Sequence, residues 1–443
     1  MVPTYDTTLS IDAVISRIGF GRFQWKLLWI CGFGWAADGM EVLLISFIIP
    51  AVAKEWALSK SQIGWLGTAI FLGMMAGAWF WGRISDRVGR KFGFIGTVAI
   101  DSGFGLLSAF APSFLWLLIL RVFTGFGVGG TLPVDYSIFS EYLPTKNRGR
   151  YLVYLEAFWA VGALAAAGLA WLIVPRMGWR WLLAVSALPG IIIIFVRRYI
   201  PESPRYLLVQ GKNKEALEVL RKVAIENGVS LDDVSGLTKV ETRQSEAKDL
   251  WRPAIRKTTF LLWSIWFFIS FGYYGIFTWL PNYLRSGGMQ LLPVYQNSFI
   301  LALAQLPGYF SAAYFVERIG RRKTLTIYLL ASALFTFLFA AATNLTWVIA
   351  LGIWMSFFTL GAWGVIYAYT PEAYPTVLRA TGMGAASGMT RIAGVLAPIM
   401  GGLLLGSGMG FPLAIFSAAY LIAGISAWLL PKETRAVPMD DTL

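Results

Sequence analysis

The sequence predicts an all-α membrane protein, with twelve transmembrane helices in two pseudo-symmetric six-helix bundles. Three observations predict it. Only 14% of the 443 residues are charged against 57% hydrophobic, whereas a water-facing chain of this size carries about a quarter charged. Apolar runs such as 25–49, 92–111, 179–195 and 324–342 recur along the chain, and a bilayer core about 30 Å thick takes about 20 such residues in a helix. Finally, two separate motifs return at one common offset of 231 residues. Backbone amides in lipid must be satisfied within their own segment, so the runs are helices.

Taken in order, the spans fall near 25–49, 61–81, 92–111, 114–136, 150–174 and 179–199, then 258–281, 295–316, 323–342, 345–369, 380–405 and 411–430. The long polar segment between the two sets divides the chain into an N-terminal bundle (1–199), a cytoplasmic linker (200–257) and a C-terminal bundle (258–443). Ahead of the first span, Ile11–Lys26 reads as a short helix lying on the membrane surface. Residues 1–24 are polar to amphipathic, and the run after them is too long for a cleavable signal core.

Charge placement sets the orientation. Lys54, Lys60, Arg176, Arg180 and Arg285 fall in one set of loops, Arg121 and Arg391 lie inside spans, and the rest of the 37 Lys and Arg belong to the other side. That side is expected to be cytoplasmic, with both termini on it. The net charge of +13 is thus a topology signal rather than a nucleic-acid footprint. With no His and Cys31 alone, the chain cannot build a Cys/His metal site or a disulfide framework. No Walker-type glycine loop appears, so neither a nucleotide nor any other cofactor is expected.

The offset reveals a duplication. Asp86-Arg87-Val88-Gly89-Arg90-Lys91 after the second span returns as Glu317-Arg318-Ile319-Gly320-Arg321-Arg322 after the eighth. Glu141, Pro144, Thr145 and Arg148 after the fourth span return as Glu372, Pro375, Thr376 and Arg379. Parallel halves of this kind place a binding site between them near the bilayer midplane.

These residues resemble the major facilitator superfamily. Gly82 to Lys91, with Arg83, Asp86, Arg87 and Arg90, is similar to its signature loop; Arg121 to Gly130 is similar to its fourth-helix motif; Pro201-Glu202-Ser203-Pro204-Arg205 matches the segment after helix six in sugar porters and organic ion transporters. Within the superfamily, Asp38-Gly39-Met40-Glu41, Gly272-Tyr273-Tyr274-Gly275, Trp279-Leu280-Pro281 and Arg391 look like the branch of niacin-type transporters, organic ion transporters and synaptic vesicle glycoprotein 2. Helices five and seven lack the glutamines usual in sugar porters, and Val161–Trp171 lacks the proline of the drug–proton antiporter pattern.

The resemblance implies roles for the polar residues. Arg83, Asp86, Arg87, Arg90, Glu141 and Arg148, with Glu317, Arg318, Arg321, Glu372 and Arg379, are expected to form ion pairs at the cytoplasmic helix ends that hold the halves together when the protein opens outward, the alternative being a basic loop that only fixes topology. A charge in lipid costs at least about 2.5–3.5 kcal/mol, so Arg391 must face the interior. There it either grips a substrate carboxylate with parallel hydrogen bonds or pairs with a buried acid. Asp38 and Glu41 share a helix face; without His, proton coupling needs a carboxylate, and Asp38 is the first candidate, with Glu41, Arg121, Asp135 and Glu156 as others. Fixed salt bridges are the alternative for each, while Asp101 has no assigned role. Trp35, Phe158, Trp159, Tyr273, Tyr274, Trp363 and Tyr367 lie in helices one, five, seven and ten, which often line the cavity of this fold, and their rings suit a flat aromatic ligand.

The function so implied is a monomeric secondary transporter in a bacterial inner membrane. It would contact lipid and move a small organic anion, an aromatic carboxylate such as nicotinate, by alternating access with proton symport. A carrier of organic cations or drugs is the runner-up. A non-transporting receptor is the reading from another class, and the short loop 282–294 counts against it.

Overall fold

A computed structural model of the chain describes residues 7–144, 148–197, 200–238, 247–286, 290–375, 378–404, 408 and 410–434. The first bundle consists of α2 (Arg22–Glu55), α3 (Lys60–Val88), α4 (Arg90–Ser108), α5 (Phe114–Glu141), α6 (Arg148–Met177) and α7 (Trp179–Arg197), preceded by β1 (Thr7–Leu9) and α1 (Ile11–Ile18). The linker carries α8 (Pro204–Val209), α9 (Asn213–Glu226), β2 (Val234–Leu237) and a 3-10 turn at Ala247–Trp251. The second bundle has α10 (Arg256–Phe277), α11 (Leu280–Ser286), α12 (Leu291–Leu303), α13 (Gln305–Arg318), α14 (Arg321–Ala341), α15 (Leu345–Ala373), α16 (Arg379–Leu403) and α17 (Gly410–Trp428).

Twelve spans result, because α10 and α11 form one span and α12 and α13 another. Each break has a proline just beyond it. Pro281 and Pro307 have no N–H to donate, so the carbonyls of Phe277 and Leu303 lose their helical partners where the first helix of each pair stops. Among the described residues, nine of the long helices are apolar enough to cross a membrane by length and composition alone. The remaining spans are α4, which carries Asp101 and several glycines, α16, rich in small residues, and the apolar helix α7.

Glycine sets the packing of α3 on α5. A methyl group at Gly73 would fall 1.9 Å from the Val122 carbonyl oxygen, and one at Gly125 would fall 2.0 Å from that of Ile70. The two backbones therefore touch directly, as small residues permit in membrane helices. In α16 the glycines differ. Gly382 packs on the Tyr374 ring, whereas Gly384 and Gly388 face open space, so the latter two do not mediate the close helix approach that a glycine-rich span suggests.

The two bundles meet along α3 with α16, α6 with α12, α13 and α15, and α2 with α11. On the face away from the linker they are sealed. Tyr295 donates to the Phe47 carbonyl at 3.0 Å, Thr68 donates to the Val395 carbonyl at 3.3 Å, and a methyl at Gly402 would fall 2.7 Å from Gly64 Cα. Toward the linker face, the open space at Gly384 and Gly388 marks where the interface parts.

One expectation needs correction here. The amphipathic segment Ile11–Lys26 does not lie on the bilayer as one helix. It breaks at Gly19 (φ 70°), and the apolar face of α1 (Ile11, Val14, Ile15, Ile18) is buried with α9 as its neighbour. β1 extends this attachment by pairing in parallel with β2. Amphipathicity in the sequence records that a face is covered; it does not record by what.

Candidate functional site

At the linker face, the duplicated motifs build matching clusters. Arg90 Nε lies 3.6 Å from Glu141 Oε1, and Arg321 Nε lies 3.2 Å from Glu372 Oε2. Glu202 accepts from the backbone N–H of Lys91 at 3.2 Å, and Glu433 accepts from that of Arg321 at 2.7 Å. Each acid thereby caps the start of a helix, α4 or α14, where unpaired N–H groups favour a negative charge. Glu202 and Glu433 are also 231 residues apart, a third element of the repeat.

In this arrangement the pairs tie helices within one bundle, whereas the expectation that such pairs hold the halves together concerns the outward-open state. Glu141 stands at the end of α5 and Arg90 at the start of α4, so each cluster closes over its own bundle. Arg321 also meets Glu317 at 2.9 Å, one helical turn away. Arg148 reaches the Leu143 carbonyl at 3.1 Å and Asp12 of α1 at 3.7 Å. Arg83 lies over the Trp79 ring at 4.0 Å and Arg318 over the Tyr314 ring at 5.2 Å. Arg87 is exposed, and its carbonyl accepts from Tyr206. The side chains of Asp86 and Arg379 lie outside the described residues.

Inside the first bundle sits an ionic core. Arg121 donates to Glu41 Oε2 at 2.8 Å and to the Glu41 carbonyl at 2.7 Å, while Ser186 donates to Glu41 Oε1 at 2.8 Å. Arg121 is wholly buried and Glu41 nearly so. The salt-bridge alternative therefore describes Glu41 and Arg121. Asp38, Asp101 and Asp135 are buried in the same bundle, and none of them lines the cavity between the halves.

That cavity comprises about 410 Å³ of empty space, counting the solvent in its opening. Its aromatic wall consists of Trp35, Trp159, Tyr273, Tyr274, Tyr309, Trp363 and Tyr367, and Leu360, Thr390, Glu156 and Arg391 complete it. Trp35 packs on Trp159 with ring centroids 5.2 Å apart, and Trp363 lies 6.0 Å from both Tyr273 and Tyr367. Tyr136 donates to Glu156 from α5 and stacks on Tyr367 of α15 at 5.7 Å. Arg391 is only 7% exposed. Among the described residues no carboxylate pairs with it, and its hydrogen-bond neighbour is the Met74 thioether at 3.8 Å, a weak acceptor.

Six of the seven aromatic candidates thus come together with Arg391. Phe158 does not. It packs on Trp29 and Phe33, whose rings are half exposed on the outer face. On α6, Glu156 and Trp159, three apart, share the face toward the cavity, while Phe158 stands on the face toward Trp29 and Phe33. Asp38 too is placed away from the cavity, and Glu156 is the candidate acid inside it. Tyr309, Leu360 and Thr390 escaped the sequence reading. Leu360 shares a helix face with Trp363 and Tyr367, which is a usable signal; Tyr309 belongs to the eighth span, where no charge drew notice.

Comparison with known proteins agrees with this architecture. Residues 33–441 match the family described as sugar (and other) transporter. The chain is 38% identical to a niacin transporter of Acinetobacter baylyi, covering 96% of this chain and 98% of that one. It is 35% identical to the synaptic vesicle 2-related protein of Xenopus laevis (98% and 82% covered) and 34% identical to the organic cation/carnitine transporter 7 of Arabidopsis thaliana (99% and 97%). In fold it is similar to the xylose transporter of E. coli in a partially occluded inward-open conformation, with a TM-score of 0.78 at 19% identity over 93% of this chain and 98% of that one. The chain is a multi-pass integral membrane protein and belongs to the sugar (and other) transporter family of the major facilitator superfamily.

Proposed function

We propose that this transporter carries a small aromatic carboxylate, such as nicotinate, with Arg391 as the group that holds the carboxylate. One observation carries the reading. Arg391 is buried in an aromatic cavity between the halves with no acid beside it among the described residues. A buried guanidinium without a counter-charge is costly, and a ligand carboxylate would supply that charge with two parallel hydrogen bonds. The tryptophan and tyrosine rings would sandwich a flat substrate. The niacin transporter of Acinetobacter baylyi, similar over nearly the whole chain, points to the same substrate class.

In this reading both termini lie in the cytoplasm, which the basic residues of the linker face support, and the membrane is a bacterial inner membrane, which the similarity to the Acinetobacter baylyi protein supports. The cavity then communicates with the cytoplasm while the opposite face is sealed, one end of an alternating-access cycle. Proton symport is part of the proposal, with Glu156 as the proton site because it lines the cavity and Asp38 does not.

The test is uptake of labelled nicotinate into proteoliposomes under an imposed pH gradient, paired with binding measurements. Arg391→Ala is expected to abolish binding, and Arg391→Lys to restore little of it, since an ammonium lacks the planar fork. Unchanged affinity in Arg391→Ala would sink the assignment. A second reading, an organic cation carrier, is favoured by Glu156 in the cavity and by the similarity to the Arabidopsis protein. A competition panel separates the two, since a cation carrier prefers amines to acids.

A further inference from the structure

The cavity holds two charges that do not meet. Glu156 and Arg391 both line it and both are buried, yet no ion pair joins them among the described residues. Tyr274 and Tyr367 line the same cavity as both charges, so the two groups share one set of rings. Around them the hydrogen bonding is incomplete. The Trp363 indole N–H and the Tyr309 hydroxyl are buried cavity-lining groups without a hydrogen-bond partner among the described residues. A buried donor left without an acceptor is costly, so the wall is short of acceptors and ready for an anion. Glu156 is the opposite, a buried acceptor whose hydrogen bond comes from Tyr136, with room for another donor.

We infer that the site is built for a flat ring bearing a carboxylate at one position and a basic or cationic nitrogen at another. Arg391 reads the carboxylate and Glu156 reads the nitrogen. This rests on the carboxylate reading above and narrows it. An aromatic acid without the nitrogen satisfies Arg391 but leaves Glu156 buried against a C–H edge. A simple organic cation satisfies Glu156 and leaves Arg391 without an anion. Only a ligand carrying both groups pairs both charges, and an unpaired buried charge is strongly destabilising. Toward a cationic nitrogen Glu156 acts as the counter-charge. Toward a neutral ring nitrogen it must hold a proton and donate it as a hydrogen bond, so such a ligand binds together with one proton.

The experiment titrates the purified full-length protein in detergent with four probes by calorimetry: nicotinate, N-methylnicotinate, benzoate and nicotinamide. Wild type is expected to bind the first two at least about tenfold more tightly than the last two, because a site built around a polar group rejects analogues lacking it. Glu156→Leu, which can neither donate nor accept, should narrow the nicotinate-to-benzoate ratio to about threefold or less, and Glu156→Asp, which keeps the carboxyl, should restore part of it. Arg391→Gln should weaken nicotinate and benzoate alike. Melting temperature without ligand and gel filtration establish that the variants fold. If wild type binds benzoate as tightly as nicotinate, the role of Glu156 is overturned while the carboxylate reading survives. If only nicotinamide binds, or none of the four, both are overturned. If Glu156→Leu folds and keeps the full wild-type ratio, the assignment of the nitrogen to Glu156 fails.

Discussion

Trp159 of α6 donates its indole N–H to the hydroxyl of Tyr273 of α10 at 2.8 Å, a hydrogen bond that joins the two bundles inside the cavity wall. Both residues are buried, so the bond is made without competition from water. A typical net hydrogen bond is worth about 0.5–1.5 kcal/mol. Tyr273→Phe removes the acceptor while keeping the ring. The expected outcome is a fall in substrate affinity of about threefold to tenfold, with a small loss of thermal stability. Titration and thermal unfolding in detergent check it, and an unchanged affinity would mean that the bond is broken in the binding state.

The pair Arg121–Glu41 should behave differently, because it supports the first bundle from outside the cavity. Removing one partner of a buried ion pair costs about 3–5 kcal/mol, while replacing both with apolar residues is often neutral. Arg121→Met alone should therefore lower the melting temperature sharply, and Arg121→Met combined with Glu41→Leu should recover much of it. A double variant no more stable than the single one would show that the charges act separately.

The span pattern was legible because hydropathy and length are properties of the sequence itself. The duplication was legible because two motifs share an offset; Glu202 and Glu433 share it too, but the residues around them differ enough to hide the match. Partners were not legible. Nothing in the chain says that Arg121 takes Glu41 and not Asp38, since both acids lie on one face of α2 and the choice is made by rotation of packed helices. Inward and outward faces were half legible: Arg391 had to be interior on cost alone, whereas Phe158 and Trp159, both aromatic and adjacent, could be sorted only by the angle at which α6 packs. The covering of α1 by the linker depends on contacts more than 200 residues apart in sequence, such as Arg17 with Asp233, and no local signal carries that.

The matched clusters at the linker face predict an effect on turnover rather than on binding. Arg90–Glu141 and Arg321–Glu372 lie at the helix ends and away from the cavity. Glu141→Gln and Glu372→Gln should each slow transport severalfold and leave substrate affinity within about twofold, because each pair fastens the helix ends of a bundle that must move as a unit, while the cavity lies apart from it. Proteoliposome counterflow and equilibrium binding, measured on the same preparations, separate the two. A large affinity loss with normal turnover would contradict this placement.

The attachment of α1 should depend on pH. The hydrogen bond from Arg17, 2.6 Å long, holds the Asp233 carboxyl below its ordinary value. A carboxyl whose value falls on folding contributes above its unfolded value and loses that contribution as pH drops through the folded one. The contact is therefore complete at neutral pH and fades below the ordinary aspartate range, about pH 3.9. Hydrogen exchange across 7–19 should accelerate at about pH 3 relative to pH 7, after correction for the intrinsic rate. Asp233→Asn should show faster exchange already at neutral pH. Equal protection in the variant at neutral pH would assign the attachment of α1 to its buried apolar face, the β1–β2 pairing and the ion pairs of Asp12 with Arg148 and Arg205.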